Sequence, residues 1–552
     1  MQQRNAILIV LGFFLFLYIL PLGVRPIFVD DEARYAEIPR EMIANGDWVS
    51  PRLNGLRYFE KPVLGYWLNG AFIMLFGENA FAVRLPSALA AGLSALLVFL
   101  MLQSRVSKDD KLTAPLGALI LLSCFEVIII GTFATLDTML AFFLTGAVFF
   151  FFFAVTSEPG SRREKGMLAA AGFFTGLAFL TKGFLAFAVP GLTMAGFLIW
   201  QRRFKDLLRM AWLPLTVAFL TALPWGIMIH LREPDFWNFF FWNEHVRRFL
   251  SDNAQHHEPF WYFMAIAPGM FLPWTFALPA ALSGLRKYSP TQNDLIRFSI
   301  CWLVLPFLFF SASKGKLITY ILPCFPPFAI LVGLGLTNYF QKEKKRLFDW
   351  GTIGAALIFG FLLLVFLIFN TTNINDINLY SSTGSWLAIA AGTAAMCVLF
   401  LMAAGNRQYF WKIIFLGLSP ALFFFMLQFN IPDRALQSKD LGTLLEQHTS
   451  YVTPETIILA GGNTSRTVCW VFKRDDVYLV GHPHELEYGV NHDERGGRFL
   501  FMGSEIAEMI NRNRGRIVLV ARKGHYEEML SSLPEPTALY SSGPKGYVFV
   551  KY

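Results

Sequence analysis

Charge is what this sequence is short of. Asp, Glu, Lys and Arg make up 16% of its 552 residues, against about 25% in soluble globular proteins. The deficit is uneven. Long apolar runs with short polar breaks fill residues 6–429, whereas 430–552 have an ordinary soluble composition. This excludes a soluble protein over most of the length. It implies a polytopic α-helical membrane protein, 1–429, with a C-terminal soluble α/β domain, 430–552. Cysteine is scarce too: the five (Cys124, Cys301, Cys324, Cys397, Cys469) have no paired spacing, and four lie in apolar segments. They read as buried thiols, not a disulfide framework. Gly-rich nucleotide loops, G-x-S-x-G elbows and internal repeats are missing as well. The first apolar run ends in LPLGVRP with no A-x-A-like processing site, so it reads as an uncleaved first helix.

What is present in abundance is hydrocarbon. A bilayer core about 30 Å thick needs roughly 20 apolar residues per helix. The runs 6–22, 83–103, 113–131, 138–156, 166–181, 183–200, 208–230, 260–283, 297–312, 317–340, 350–369, 385–404 and 409–429 give about 13 spans. The segment 63–77 is short and broken by Gly and Asn, and is read as interfacial. The breaks 104–112, 157–165, 201–207, 284–297 and 341–349 are rich in Lys and Arg, which marks the cytoplasmic side. The N-terminus is then cytoplasmic. The polar loops 23–82, 132–137, 231–259, 313–316 and 370–384, the region around Lys182, and the C-terminal domain all fall outside.

Acids and bases crowd that outer boundary, where charge is costly unless paired or used. FVDDEARYAEIPREM (28–42) puts Asp31 and Tyr35 on one helical face and offers Glu37 to Arg34 or Arg40. LRYFEKPVLGYW (56–67) carries Tyr58, Glu60 and Lys61, and a lysine there can neutralise a lipid phosphate as a point charge. Asp137 stands alone in GTFATLDTML, at the outer start of a helix. Residues 232–263 mix His245, His256, Arg247 and Arg248 with carboxylates and aromatics. Their spacing fits no metal motif, and phosphate contact by Arg247 or Arg248 is the stronger reading. SASKGKLITYI (311–321) sets Lys314 and Lys316 at a helix start, with Tyr320 one turn in, which is good anion chemistry. Together these groups suggest an outward site for two phosphorylated lipids. Sugar nucleotides are cytoplasmic, so a glycosyl donor there must be lipid-linked.

The blocks DDEARYAEIPREM, LRYFEKPVLGYW, FLTKGFLAFAVP, FWNEHVRRF, AQHHEPFWY, SASKGKLITYIL and IPDRALQSKD resemble those of the bacterial 4-amino-4-deoxy-L-arabinose lipid A transferases, in order, from residue 28 to about 495. More distantly the layout is similar to the protein O-mannosyltransferases and other C-type-fold membrane glycosyltransferases. The resemblance implies transfer of the amino sugar from undecaprenyl phosphate to lipid A phosphate at the periplasmic face of the inner membrane, and with it resistance to polymyxin. It implies catalytic carboxylates at Asp31 and Asp137. It also implies a carrier-phosphate contact at Lys61 beside Glu60, donor contacts at Tyr35, Tyr58 and Tyr320, and an acidic position of the soluble domain at Glu485, while the residues by themselves offer phosphate contacts at Arg247, Arg248, Lys314 and Lys316 and sugar contacts at Glu60 and Glu485. Asp30 departs from the family pattern and is given no role. No cofactor is called for, a divalent metal (Zn or Mg) on Glu60, His245 and His256 being the one candidate. The expected partners are the lipid-linked donor, lipid A and membrane lipids, with no nucleic acid, for a chain acting as a monomer.

An acceptor phosphate is already ionised near neutral pH, its second pKa being about 6, so a general base has little to do. The enzyme must bring two anions together and tolerate cationic character at the anomeric carbon. Asp31 would orient the acceptor or hold a metal that does, and Asp137, Glu60 or Glu485 would pair with the sugar's ammonium. Direct attack predicts inversion at the anomeric carbon, and a carboxylate nucleophile with retention is the competitor. Two rivals stand beside this reading: the same architecture with another sugar or acceptor, and a flippase, which would need charges reachable from both sides near the midplane. In the C-terminal domain, TIILAG, VCWVF, DVYLV, RFLFM, RIVLVA and YVFVKY read as strands, with helices near 503–513 and 525–533.

Overall fold

The protein was analysed as a computed structural model, which describes residues 2–29, 31–107, 109–247, 257–286, 290–342, 345–372, 379–493, 496–500 and 503–552. Its apolar runs are helices because a lipid-exposed backbone must satisfy its own hydrogen bonds. Among the described residues, eight helices are long and apolar enough to cross a membrane, or ten if two bent pairs each count as one span. The bent pairs are Thr113–Ser123 with Phe125–Gly131, at 66°, and Tyr262–Met270 with Trp274–Leu285, at 93°. The expected count of about 13 is not confirmed. Gln3–Ile19, Leu64–Phe76 and Leu185–Trp200 are apolar but short, and the helix Arg162–Lys182 carries charge at both ends.

Close helix crossings replace the missing hydrophobic drive between helices in lipid. Gly172 and Gly176, four residues apart, face the helix Phe204–Arg232. A Cβ on Gly172 would stand 2.4 Å from the Pro214 carbonyl oxygen, and one on Gly176 2.8 Å from that of Ala218. This contact fixes the helix whose last residue is Lys182.

The first apolar helix is followed by the short helix Asp31–Asn45, buried from Glu32 to Met42. Its anchor is Glu32, fully buried between Arg25 at 2.9 Å and Arg84 at 2.8 Å, and accepting from the Ala134 N–H at 3.0 Å. Burial raises this carboxyl, but the two guanidiniums outweigh it and bring it down to about 2. A hairpin follows, β1 (Arg52–Leu53) and β2 (Leu56–Arg57), pairing Arg52 with Arg57. Its two-residue turn, Asn54-Gly55, has φ of 57° and 67°, the left-handed pair that a tight hairpin demands.

The C-terminal part is a six-stranded sheet in the order β5-β4-β3-β6-β8-β7. The strands are β3 (Ile457–Gly461), β4 (Tyr478–Val480), β5 (Phe499–Leu500), β6 (Ile517–Arg522), β7 (Ala538–Ser541) and β8 (Tyr547–Lys551). β5, β4, β3 and β6 run parallel, and β8 is antiparallel to both β6 and β7. Side chains alternate between two cores: Ile458, Val518, Val520 and Phe549 join one, while Leu459, Leu519, Val548 and Val550 join the other. The first core also takes in Val29, just before the helix Asp31–Asn45. VCWVF, expected as a strand, is instead the end of the helix Ser465–Phe472. It supplies the crossover between parallel β3 and β4, which a strand could not do. An apolar run this short reads equally well either way.

Candidate active site

Asp31 opens the helix Asp31–Asn45 with its side chain 61% exposed, against 25% for Glu485 and 15% for Asp137. One turn on, buried Arg34 pairs with Asp31 and reaches across to Glu485 of the C-terminal domain. Arg34 also donates to the Tyr58 hydroxyl at 2.9 Å. That hydroxyl lies 3.0 Å from the Glu485 carboxylate and 3.1 Å from Glu60, and gives its single hydrogen to one of them. Arg466 closes the group at 2.9 Å from Glu485. Burial alone would raise the Glu485 carboxyl. Arg34 and Arg466, with Lys61 behind them, win and hold it well below the usual carboxylate range. Lys61 stands 3.6 Å from the Glu60 carboxylate and donates to the Glu60 carbonyl oxygen at 3.0 Å.

A second ion pair joins two helix ends. Asp137 is in the first turn of the helix Leu136–Val155, whose cap is Thr135, and Lys182 ends the helix Arg162–Lys182. They meet at 2.5 Å, each at the helix end whose dipole favours its charge. The Lys182 ammonium is 5.4 Å from the centre of the Tyr320 ring. Tyr35 joins the two groups. Its ring stacks on Tyr66 at 6.2 Å and lies under the Arg34 guanidinium at 4.9 Å, and Asp31, Asp137 and Lys182 are all in electrostatic reach. Burial, with Asp31 and Asp137, pushes the Tyr35 phenol up to about 12, so it acts as a hydrogen-bond group and not as a phenolate.

Of the residues expected from sequence, Asp31, Tyr35, Tyr58, Glu60, Lys61, Asp137, Tyr320 and Glu485 gather in this region. Lys316 turns to backbone instead, donating to the carbonyls of Glu258 at 2.7 Å and Ser313 at 2.5 Å. Lys314 sits in the same loop, its carbonyl accepting from the Glu258 N–H at 3.3 Å. Arg248 and His256, and the side chains of His245 and Arg247, lie outside the described residues. So therefore does most of the expected metal set. Glu60 is engaged with Tyr58 and Lys61, and among the described residues no three His, Cys, Asp or Glu side chains are grouped for a metal. The described donors do not form a metal cradle, and no step is derived through one.

Sequence reading missed Arg34, Lys182, Arg466 and Tyr66 as members of the site. Lys182 carried a signal, a lone base between two apolar runs. Arg466 carried none, because its place depends on a turn 19 residues before Glu485 in the chain.

The family model for dolichyl-phosphate-mannose-protein mannosyltransferase matches residues 5–240, and that for the arabinosyl transferase ArnT C-terminal domain matches 436–550. Curated relatives named undecaprenyl phosphate-alpha-4-amino-4-deoxy-L-arabinose arabinosyl transferase are similar along their length. That of Shewanella sediminis is 37% identical over 97% of this chain and 96% of its own, and that of Pectobacterium carotovorum 36% over 100% and 98%. Among solved structures, ArnT from Cupriavidus metallidurans bound to undecaprenyl phosphate superposes with a TM-score of 0.80 at 24% identity, covering 99% of this chain and 98% of that one. The archaeal oligosaccharyltransferase AglB from Archaeoglobus fulgidus gives 0.52 at 13% identity, over 96% and 71%. The shared fold is that of C-type membrane glycosyltransferases.

Proposed function

The chain belongs to the undecaprenyl phosphate-alpha-4-amino-4-deoxy-L-arabinose arabinosyl transferases, and from that membership we propose that it moves 4-amino-4-deoxy-L-arabinose from undecaprenyl phosphate to a phosphate of lipid A. The site faces the periplasm at the inner membrane, and the modified lipid A binds cationic peptides such as polymyxin less well. The observation that carries this reading is the meeting of Asp31, Arg34, Tyr58, Glu60, Lys61 and Glu485, from separate segments, beside the Asp137–Lys182 pair.

In the reaction the bond between the anomeric carbon and the carrier phosphate breaks, its electron pair leaving with undecaprenyl phosphate. An ionised oxygen of the lipid A phosphate forms the new bond to that carbon. One phosphodiester becomes a monoester and one monoester a diester, so charge balances without proton transfer. Lys61 holds the carrier phosphate and steadies the negative charge it gains. Exposed Asp31 faces the anomeric carbon, where positive charge develops. Arg34, locked between Asp31 and Glu485, fixes that carboxylate's direction. Asp137 is a positioning residue that holds Lys182 against Tyr320.

The test is mass spectrometry of lipid A from a transferase-null cell carrying this chain. A gain of one aminopentose is expected. Asp31→Asn at normal membrane levels is expected to abolish it and to leave the cell polymyxin-sensitive. A hexose or uronate gain would overturn the sugar assignment, and full activity of Asp31→Asn would remove that carboxylate from the chemistry.

A further inference from the structure

The proposed donor carries a primary amine, largely protonated at neutral pH, and the site must supply an anion for it. Each carboxylate named so far already faces a cation. Asp31 pairs with Arg34, Glu485 with Arg34 and Arg466, Glu60 with Lys61, and Asp137 with Lys182. Handing Glu485 or Asp137 to the sugar would leave buried Arg466 or Lys182 without its carboxylate, while Asp31 and Glu60 already serve the reacting centre and Lys61.

Glu126 is different. It is in the first turn of the helix Phe125–Gly131, directly after the 66° bend. The residue is 4% exposed. Its Oε1 has no hydrogen-bond partner among the described residues, and no ion pair to it is found there. The Thr138 hydroxyl donates to the Ile130 carbonyl at 3.1 Å, which ties this helix to the start of the one that carries Asp137, and Asp137 lies within electrostatic reach of Glu126. Two more buried oxygens of the site lack partners among the described residues: the Tyr66 hydroxyl, whose ring stacks on Tyr35, and the Thr135 hydroxyl, two residues before Asp137. The helix Leu64–Phe76 brings Tyr66 to this place by packing on Leu136. A Cβ on Gly65 would stand 2.1 Å from the Leu136 Cδ2. A buried polar atom without a partner is costly, and three of them on elements that meet at Asp137 and Tyr35 mark where a polar ligand completes the bonding.

We propose that Glu126 selects the amino sugar, its carboxylate receiving the sugar's ammonium while the hydroxyls of Tyr66 and Thr135 face the sugar's own hydroxyl groups. This rests on the transferase reading above and adds the residue that sets its sugar specificity. A neutral sugar offers the Glu126 carboxyl no positive charge to pair with and so gains less at the binding step.

The test uses the full chain in lipid vesicles with lipid A and two polyprenyl-phosphate donors, one with the free 4-amine and one N-acetylated. The wild type is expected to prefer the free amine by at least about tenfold in kcat/KM. Glu126→Gln is expected to raise KM for the amine donor about 10- to 100-fold, the worth of one charged hydrogen bond, while use of the N-acetylated donor is unchanged. An unchanged KM in Glu126→Gln, or a wild type indifferent to the amine, overturns the proposal. If Glu126→Gln does not accumulate, Glu126→Asp is read instead. It is expected to keep the preference with a higher KM, and loss of preference there overturns the proposal equally. A wild type that transfers neither sugar defeats the transferase reading itself and is recognised as that separate failure.

Discussion

Glu485 compensates two buried guanidiniums at once, those of Arg34 and Arg466. With its carboxyl held below the usual range in the folded chain, its stabilisation is present above the unfolded carboxylate pKa, about 4.3. It is lost as the pH falls through the folded value. Glu485→Gln is therefore expected to lower the melting temperature markedly at pH 7, and the gap to the wild type to shrink toward pH 3, as read by thermal unfolding in detergent. An equal gap at both pH values would deny the charge pairing. The carboxylates were legible in the sequence because a charge at a lipid boundary needs a reason. Their partners were less so. Arg34 looked like one member of a salt-bridged helix face, since its decisive contact, Glu485, lies 451 positions away, and local spacing carries no trace of such a contact.

The helix Asp31–Asn45 holds a second device, away from the reacting groups. Glu37 and Glu41, 0% and 1% exposed, lie within hydrogen-bond reach of each other, with one guanidinium, Arg40, bound to Glu37 at 2.6 and 2.7 Å. Glu41 also accepts from the N–H groups of Asn54 at 2.6 Å and Gly55 at 2.9 Å. One cation offsets one negative charge and burial raises both carboxyls, so the pair is expected to share a proton. A raised carboxyl contributes stability that is complete below its unfolded pKa and is lost as the pH climbs through the folded value. Thermal unfolding from pH 5 to 9 is expected to show falling stability on the alkaline side, and Glu41→Gln to flatten that slope. A slope of the same size in the variant would rule the shared proton out. At this scale the sequence was readable where a pattern is local. The apolar runs gave helices, and the alternating C-terminal runs gave five of the strands. VCWVF failed because its role as a crossover depends on which strands flank it, and the Asn-Gly turn at 54–55, a strong hairpin signal, went unused beside the charged motifs around it.

Across the whole molecule, the two halves meet on that hairpin. The Asn54 amide donates to the Val477 carbonyl at 2.8 Å and accepts from the Val477 N–H at 2.9 Å, imitating a neighbouring strand. Arg498 donates to the Asn54 carbonyl at 3.0 Å, and Gly489 lets the Arg57 carbonyl approach to 2.7 Å of where a Cβ would sit. This docking brings Glu485 and Arg466 to Arg34, so the C-terminal domain is expected to take part in the site. Asn54→Gly tests the point cleanly. Glycine accepts the positive φ without strain, so the variant loses only the side chain and leaves both Val477 backbone groups bare. About 2–3 kcal/mol of docking energy is expected to disappear. The measurable result is faster proteolysis in the stretch 430–440 that links the halves, together with lower transferase activity, while membrane insertion and the amount of protein stay as in the wild type. Faster cleavage with full activity would mean that the membrane half carries a complete site by itself. In that case Glu485 would belong to docking and not to the chemistry, and Arg34 would need another partner.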